Sequence, residues 1–379
     1  MAFLIDGKIY IILFTLLFLI AFLEPTEEIQ RSRKIFAYIT MWIMSLFIGL
    51  RWQTGTDWLS YKDLFDNIQL NWNFLLNVYH FDIGYVFINA LIRMLTENYT
   101  VFLVINSFIT IYVLYRLIIK LSPYPNLSLF MFYSAYMLAQ FMGSNRRMMA
   151  MVFLLWGFYY FYENKKKLYI FFLILAFLFH RSSIIGLLVL FIPKELISTR
   201  RIVLILVLCF ILGIFQIPFK LIEGFGILIS KVIKHPIVEA IVYYSKTNDA
   251  HLTSSTGSII IQTILAVAKK GIFLVFYFGV LYSNRFKIDK LTGYMLNIYV
   301  IGFAGYLMFI GIFFQMLTAY FLLMEIILLA RMYKYISNNN KILFLESMGI
   351  YGFVQMVSAL NVYPHLYLPY ISCFSSVSR

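Results

Sequence analysis

Charge and cysteine are what this sequence has least of. Asp, Glu, Lys and Arg make up 13% of its 379 residues, against about 25% in an ordinary soluble domain. The two cysteines, Cys209 and Cys373, form neither a disulfide framework nor a metal-ligand spacing. The sequence has no Walker-type glycine loop, no His/Cys metal cluster and no Gly-x-Ser-x-Gly, so an ATP-driven pump and a soluble-type hydrolase lack support. Internal repeats, inverted symmetry and low-complexity tracts are also missing, and the lack of inverted symmetry weighs mildly against a transporter. What the chain does have is apolar surface: 62% apolar and 19% aromatic residues, gathered in long runs. Runs of that length exclude a soluble enzyme, a disordered chain and a β-barrel, whose signal is about ten-residue alternation.

A bilayer needs about 20 apolar residues per helical crossing. Candidate spans fall at 9–23, 35–50, 99–119, 127–143, 148–162, 168–180, 182–193, 202–222, 258–282, 291–313, 315–332 and 342–360. The expectation is an all-α, polytopic integral membrane protein of about 12 transmembrane helices, forming one membrane domain over 1–379. The first run has no basic start and no small-x-small cleavage site, so it reads as a retained span. With the N-terminus outside, each inside loop carries two or three Lys or Arg, including Arg31, Arg33 and Lys34, Lys165–Lys167, and Arg331, Lys334 and Lys341. The net charge of +14 is then mostly a topology marker and implies no nucleic-acid partner. Two outer segments are longer, 51–98 and 223–257; the first contains 83–95, a stretch suited to an interfacial or re-entrant helix.

Ions at a membrane edge are costly and draw attention to function. Four groups stand out. Arg51-Trp52-Gln53-Thr54-Gly55-Thr56-Asp57 begins where the second span ends, and a turn at Gly55 can fold Asp57 back towards Arg51; a snorkelling Arg with a partner Asp is the plainer reading. Asn145-Arg146-Arg147 is a tight outer connection that breaks the charge rule, with no carboxylate near in sequence. Guanidinium forks suit phosphate or pyrophosphate, while lipid headgroup anchoring is the alternative. Phe179-His180-Arg181-Ser182-Ser183 interrupts an apolar stretch, and a hairpin there puts His180 at its outer apex, where an imidazole could move protons. Lys269-Lys270 lies in a predicted span and either marks an interfacial break or lines a polar cavity. In the second outer loop, His235, Glu239, Asp249 and His251 are read as ordinary loop polarity. Trp52, Trp58 and Tyr61 could stack on sugar faces.

These groups, in this order, resemble the EpsG-like, Wzy-type polymerases of bacterial polysaccharide repeat units. Arg51, Gly55, Asp57 and Tyr61 match an Arg-x-x-x-Gly-x-Asp-x-x-x-Tyr pattern, and Asp82-Ile83-Gly84-Tyr85 an acidic-x-Gly-aromatic element. Arg146-Arg147-Met148-Met149-Ala150 resembles Arg-Gln-x-x-Ala, with Arg147 in place of Gln. Phe179-His180-Arg181-Ser182 resembles Phe-His-x-Ser, and Leu368-Pro369-Tyr370 echoes a Pro-Tyr element. The family's arginine before a late Tyr-Phe pair is missing ahead of Tyr320-Phe321.

The resemblance implies a GT-C-like fold in the bacterial cytoplasmic membrane and a metal-independent glycosyltransferase with no cofactor. That enzyme would join polyprenyl-pyrophosphate-linked oligosaccharide units at the outer face, among membrane lipid, with a chain-length regulator as a candidate partner. Arg51, Arg146, Arg147 and Arg181 would face the pyrophosphate. Tyr61 and Asp82 would join the substrate site. His180 and Asp57 are the candidate bases, with His180 favoured because arginines depress an Asp pKa. A ligase or another lipid-linked glycosyltransferase is the nearest alternative; a flippase or transporter, and an acyltransferase, are further ones. Convergence of Arg51, Asp57, Arg146 and His180 at one depth is the structural expectation.

Overall fold

The computed structural model describes residues 6–71, 81–231, 242–243, 267–272, 274, 277–279, 288–309 and 312–375. Among these residues the elements are all helical, with one isolated antiparallel bridge between Arg51 and Ser372. The chain forms two compact units, Met1–Leu187 with Glu325–Arg379, and Leu188–Met324.

In the first unit, α1 (Lys8–Leu23) is an apolar run, and after a turn at Glu24 comes α2 (Glu27–Gly49), whose charged first eight residues lead into a second apolar run. Two shorter helices follow, α3 (Trp58–Asn67) and α4 (Ile83–Arg93). Helix α4 rises about 16 Å, too short to cross a bilayer. The Asn98 side chain accepts from Thr100 N and so starts α5 (Tyr99–Leu121); Pro123 follows its end. Pro125 sits in the first turn of α6 (Pro125–Phe132), where its missing N–H costs nothing. The buried Glu24 carboxylate accepts from the backbone N–H groups of Asn126 and Leu127, at 3.0 Å each, neutralising that helix start.

Helix α6 runs on as a π-helix, Tyr133–Phe141, after which the chain breaks and resumes as α7 (Asn145–Tyr162). A turn with Asn164 in the left-handed region (φ 59) leads to α8 (Lys166–Phe179), which packs antiparallel on α7. Extended backbone at His180 (φ −158, ψ 114) ends α8, and a 3-10 helix, Arg181–Phe191, follows. This helix turns back beside α8: Tyr169 Oη donates to Gly186 O at 3.3 Å, and Gly186 lies against Leu154 so closely that a Cβ would come within 2.4 Å. The stretch around His180 is therefore a hairpin with His180 at its apex.

The second unit contains α9 (Thr199–Ile214) and α10 (Ile217–Ser230), bent by 61° where Gln216 adopts φ 53. It also contains α11 (Lys290–Met308) and α12 (Ile312–Leu322). Asn297, buried within α11, donates to Pro193 O and Glu195 O and accepts from Ile197 N, holding that segment against the helix. Lys269 and Lys270 are half-buried, and the Lys270 carbonyl accepts from Tyr299 Oη at 2.7 Å, beside the middle of α11. Returning to the first unit, α13 (Glu325–Met332) packs on α6, and α14 (Lys341–Val362) packs along the π-helix.

Three helical stretches are long and apolar enough to cross a membrane alone: Tyr99–Leu121, Lys290–Met308 and Asn338–Val362. Two bent pairs, Thr199–Ile214 with Ile217–Ser230 and Gln315–Leu322 with Glu325–Tyr335, raise the number to five. The chain is an integral membrane protein. The expected count of twelve is not reached among the described residues. Shorter apolar helices, Lys8–Leu23 and Arg181–Phe191 among them, stand where full spans were expected, and most of 258–282 lies outside the described residues. The stretches 127–143 and 182–193 also differ in kind, the first being partly π and the second 3-10 as far as Phe191 rather than plain α.

Candidate functional site

The loop after α2 is pinned by the segment near residue 370. Trp52 N donates to Ile371 O and Cys373 N to Leu50 O, both at 2.8 Å. Gly55 N donates to Leu366 O at 3.0 Å, and Tyr370 Oη to Phe47 O at 2.7 Å. Gly55 has φ 113, and a Cβ there would stand 2.0 Å from Met142 O. Only glycine satisfies both the conformation and the approach.

Within this loop Arg51 is 1% exposed. Its Nη1 donates to Ile48 O at 2.7 Å, its Nε to Thr54 O at 3.1 Å and its Nη2 to Asn145 Oδ1 at 2.7 Å. The guanidinium fork is thus matched by three protein acceptors and ties the end of α2 to the start of α7. Asp57 does not fold back onto Arg51. Its Oδ2 accepts from Tyr61 Oη at 3.1 Å, and that hydroxyl also shares a 2.8 Å hydrogen bond with Ser144 Oγ. The reason is local: two backbone carbonyls already occupy the Arg51 fork from within its own loop, while α3 turns Asp57 towards Tyr61, four residues on.

Asp82, 5% exposed and immediately before α4, joins the other basic groups. Its Oδ2 lies 2.9 Å from Arg146 Nη1. Its Oδ1 accepts from the backbone N–H of Arg181 at 3.1 Å and lies 3.3 Å from Arg181 Nε. A carboxylate absent from the neighbourhood of Arg146 in sequence is therefore supplied from 64 residues away. Burial pushes the Asp82 carboxyl above its ordinary range, and the two arginines offset only part of that rise. The Arg146 guanidinium also lies over the Phe81 ring, 5.3 Å from its centre.

At the hairpin apex, His180 Nδ1 is 2.6 Å from Ser182 Oγ. Burial, then Arg146, then Arg147 lower the imidazole pKa to about 3, so it is neutral at pH 7. Arg147 is half-buried, and the Arg181 side chain is 62% exposed. Arg146 and Arg147 occupy the first turn of α7, where the helix dipole adds positive potential.

Contacts thus run from Arg51 to Asn145, the chain neighbour of Arg146, and from Arg146 through Asp82 to Arg181, the chain neighbour of His180. Asp57 joins through Tyr61 and Ser144. The assembly is a cationic seat with one shared carboxylate, one neutral imidazole and one hydroxyl-bound carboxylate. It can bind a multivalent oxyanion and accept a proton beside it. Among the described residues no group of three or more His, Cys, Asp or Glu is placed to hold a metal ion. Lys269, Lys270 and Tyr320-Phe321 belong to the second unit. His235, Glu239, Asp249 and His251 lie outside the described residues.

Sequence reasoning passed over Ser144, Phe81, the contacts of the 366–373 segment and the role of Asn145 as a partner of Arg51. The signal for Asn145 and Ser144 was their position, immediately before the arginine pair and at a helix start, where such residues commonly serve as caps. Here their side chains serve Arg51 and Tyr61 instead.

A family model described as the EpsG family matches residues 34–372. No curated protein and no solved structure matches the chain.

Proposed function

The chain belongs to the EpsG family, the Wzy-type polymerase family, and from that premise we propose that it joins lipid-linked oligosaccharide repeat units into capsule, exopolysaccharide or O-antigen. Membership itself carries a polysaccharide polymerase-type, glycosyltransferase-like role. The single observation that supports the finer reading is the gathering of Arg146 and Arg181 on Asp82, with Arg146 and Arg147 acting on His180.

The proposed donor is a growing glycan on a polyprenyl pyrophosphate, and the acceptor is a hydroxyl of a second lipid-linked unit. The anomeric carbon passes to the acceptor oxygen, the bond to the pyrophosphate oxygen breaks, and the acceptor proton leaves to a base. Arg146 and Arg147 stabilise the charge that develops on the departing pyrophosphate, with Arg181 at the rim. Arg51, committed to three protein acceptors, acts on placement: through Asn145 it fixes the start of α7 and hence the two arginines. His180 accepts the proton through Nε2 in the tautomer that carries hydrogen on Nδ1 and donates it to Ser182 Oγ. The burial and the arginines that hold His180 neutral also weaken it as a base, which favours a second reading with Asp57, oriented by Tyr61, as proton acceptor. The site is proposed to face outwards from the bacterial cytoplasmic membrane, with twelve spans and the N-terminus outside.

Complementation of a strain lacking its polymerase tests the reading. The wild-type chain restores long polysaccharide, and Arg146→Ala lowers its formation by about 100- to 1,000-fold while single lipid-linked units accumulate. Accumulation of finished, untransferred polymer would identify a ligase, and passage of intact units with no new bond would identify a flippase. His180→Asn and Asp57→Asn, compared in the same assay, decide the base.

A further inference from the structure

Some forty to fifty residues before the chain closes over Arg51, one carboxylate lies where the site chemistry does not use it. Glu325 is the first residue of α13, within the first unit, and is fully buried. Its Oε2 accepts from Tyr136 Oη and its Oε1 from Tyr351 Oη, each at 2.8 Å. Tyr351 lies ten residues along α14 from Lys341, about 15 Å into that candidate span, so the carboxylate is at mid-depth. A carboxylate at that depth is expensive, and its retention points to function.

The partner on the other side is unusual in its own right. Tyr136 stands in the π-helix Tyr133–Phe141, nine residues long, whose Met142 N still reaches back five residues to Met137 O at 3.0 Å. π-Helices are rare and mostly single-turn, so this one needs support. Tyr136 is 2% exposed and is held at its hydroxyl by Glu325, while Gly352 of α14 lets Phe130 and Ser134 approach to within 2.8 and 3.0 Å of where a Cβ would be. What the π-helix delivers at its end is the site loop. Gly143 O accepts from Thr56 Oγ1, Ser144 binds Tyr61, Asn145 binds Arg51, and Arg146 and Arg147 follow. The extra residue per turn sets the rotation and height at which these groups emerge.

We propose that Glu325 is a positioning residue for the arginine seat: by fixing Tyr136, and with it the π-helix against Tyr351 of α14, it sets where Arg146 and Arg147 stand. Its effect on catalysis rests on the polymerase reading above; its effect on the loop does not. The two are therefore measured separately, by polymer formation in the complemented strain and by hydrogen exchange of segment 142–148 in the full-length purified protein.

Glu325→Gln cannot accept from both tyrosines with its amide group, and Tyr136→Phe removes one oxygen without changing shape. Each variant speeds exchange over 142–148 by roughly tenfold and lowers polymer formation by about 100-fold, the cost of misplacing a reacting group by an ångström. The double variant is no worse than the more damaged single one, since both act through one contact. Tyr333→Phe, at the opposite end of the same helical run, leaves both readouts at wild-type values. Wild-type exchange over 142–148 in both variants overturns the proposal, as do additive losses in the double variant. Should Glu325→Gln fail to accumulate, Tyr136→Phe carries the same test. Faster exchange in the variants of a wild-type chain that makes no polymer removes the polymerase reading and leaves the positioning role standing.

Discussion

At the scale of single residues, the four arginines of the site divide by how much of each is already committed. Arg51 is enclosed and matched on three sides, whereas Arg181 reaches into the open and Arg146 shares its carboxylate with it. Arg51→Lys therefore acts mainly on structure: an ammonium cannot serve three diverging acceptors, and leaving buried carbonyls unmatched costs about 1–3 kcal/mol each. His180 makes the opposite kind of prediction. Its imidazole titrates near 3 when folded but near the ordinary 6.5 when unfolded. Between those values the unfolded chain binds a proton that the folded chain refuses, so stability falls as pH drops from 6.5 towards 3, by at most about 1.4 kcal/mol per pH unit. Thermal unfolding in detergent at pH 7.5 and pH 5 should show a larger drop for the wild type than for His180→Gln; equal drops would mean that the imidazole is not held neutral. The residue types and order at Arg51, Asp57, Arg146 and His180 were legible in the sequence. The partner of each was not, because Asp82 and Asn145 are distant along the chain and nothing in spacing reveals which side chain a fold will bring to a guanidinium.

At the scale of elements, the site depends on departures from regular helix. The turn at Gly55, the π-helix, the break before α7 and the extended backbone at His180 each aim a functional group that an uninterrupted helix would have pointed elsewhere. Gly55→Ala tests the first of these. A methyl group would meet Met142 O at 2.0 Å from a backbone conformation alanine resists, so the loop must move and Arg51 must leave Asn145. The expected outcome is polymer formation reduced by about 100-fold with protein still inserted in the membrane; wild-type polymer would show that the approach is not required. Hydropathy located these stretches well, since 127–143 and 182–193 are predominantly apolar. It could not tell π or 3-10 winding from α, because apolar residues on all faces leave no period to read. Glu325 was legible as the only carboxylate in the apolar stretch 315–332, and it passed as part of a span because its charge did not break the run.

At the scale of the whole molecule, helix class and family were readable from composition and motif order, and span number was not. Length is the obstacle: α1, α8 and the 3-10 helix hold 16, 14 and 11 residues, all below the about 20 of a full crossing. Orientation remains a prediction from the basic loops. In a background with both native cysteines replaced by serine, Glu97→Cys should react with a membrane-impermeant thiol reagent in intact cells, and Asn339→Cys only after lysis. Both positions are exposed, and the reverse pattern would invert the topology and turn the arginine seat inwards.

The pairing of residues 50–55 with 366–373 has a consequence for biogenesis. Arg51 is synthesised early, but the backbone that seats its loop is made more than 300 residues later. A ribosome must therefore pass Cys373 before the cationic seat can close. Chains that stall or are clipped short of that point carry an Arg51 loop without its backbone partners, so quality control is written into the connectivity: only a chain made through Cys373 can seat that loop.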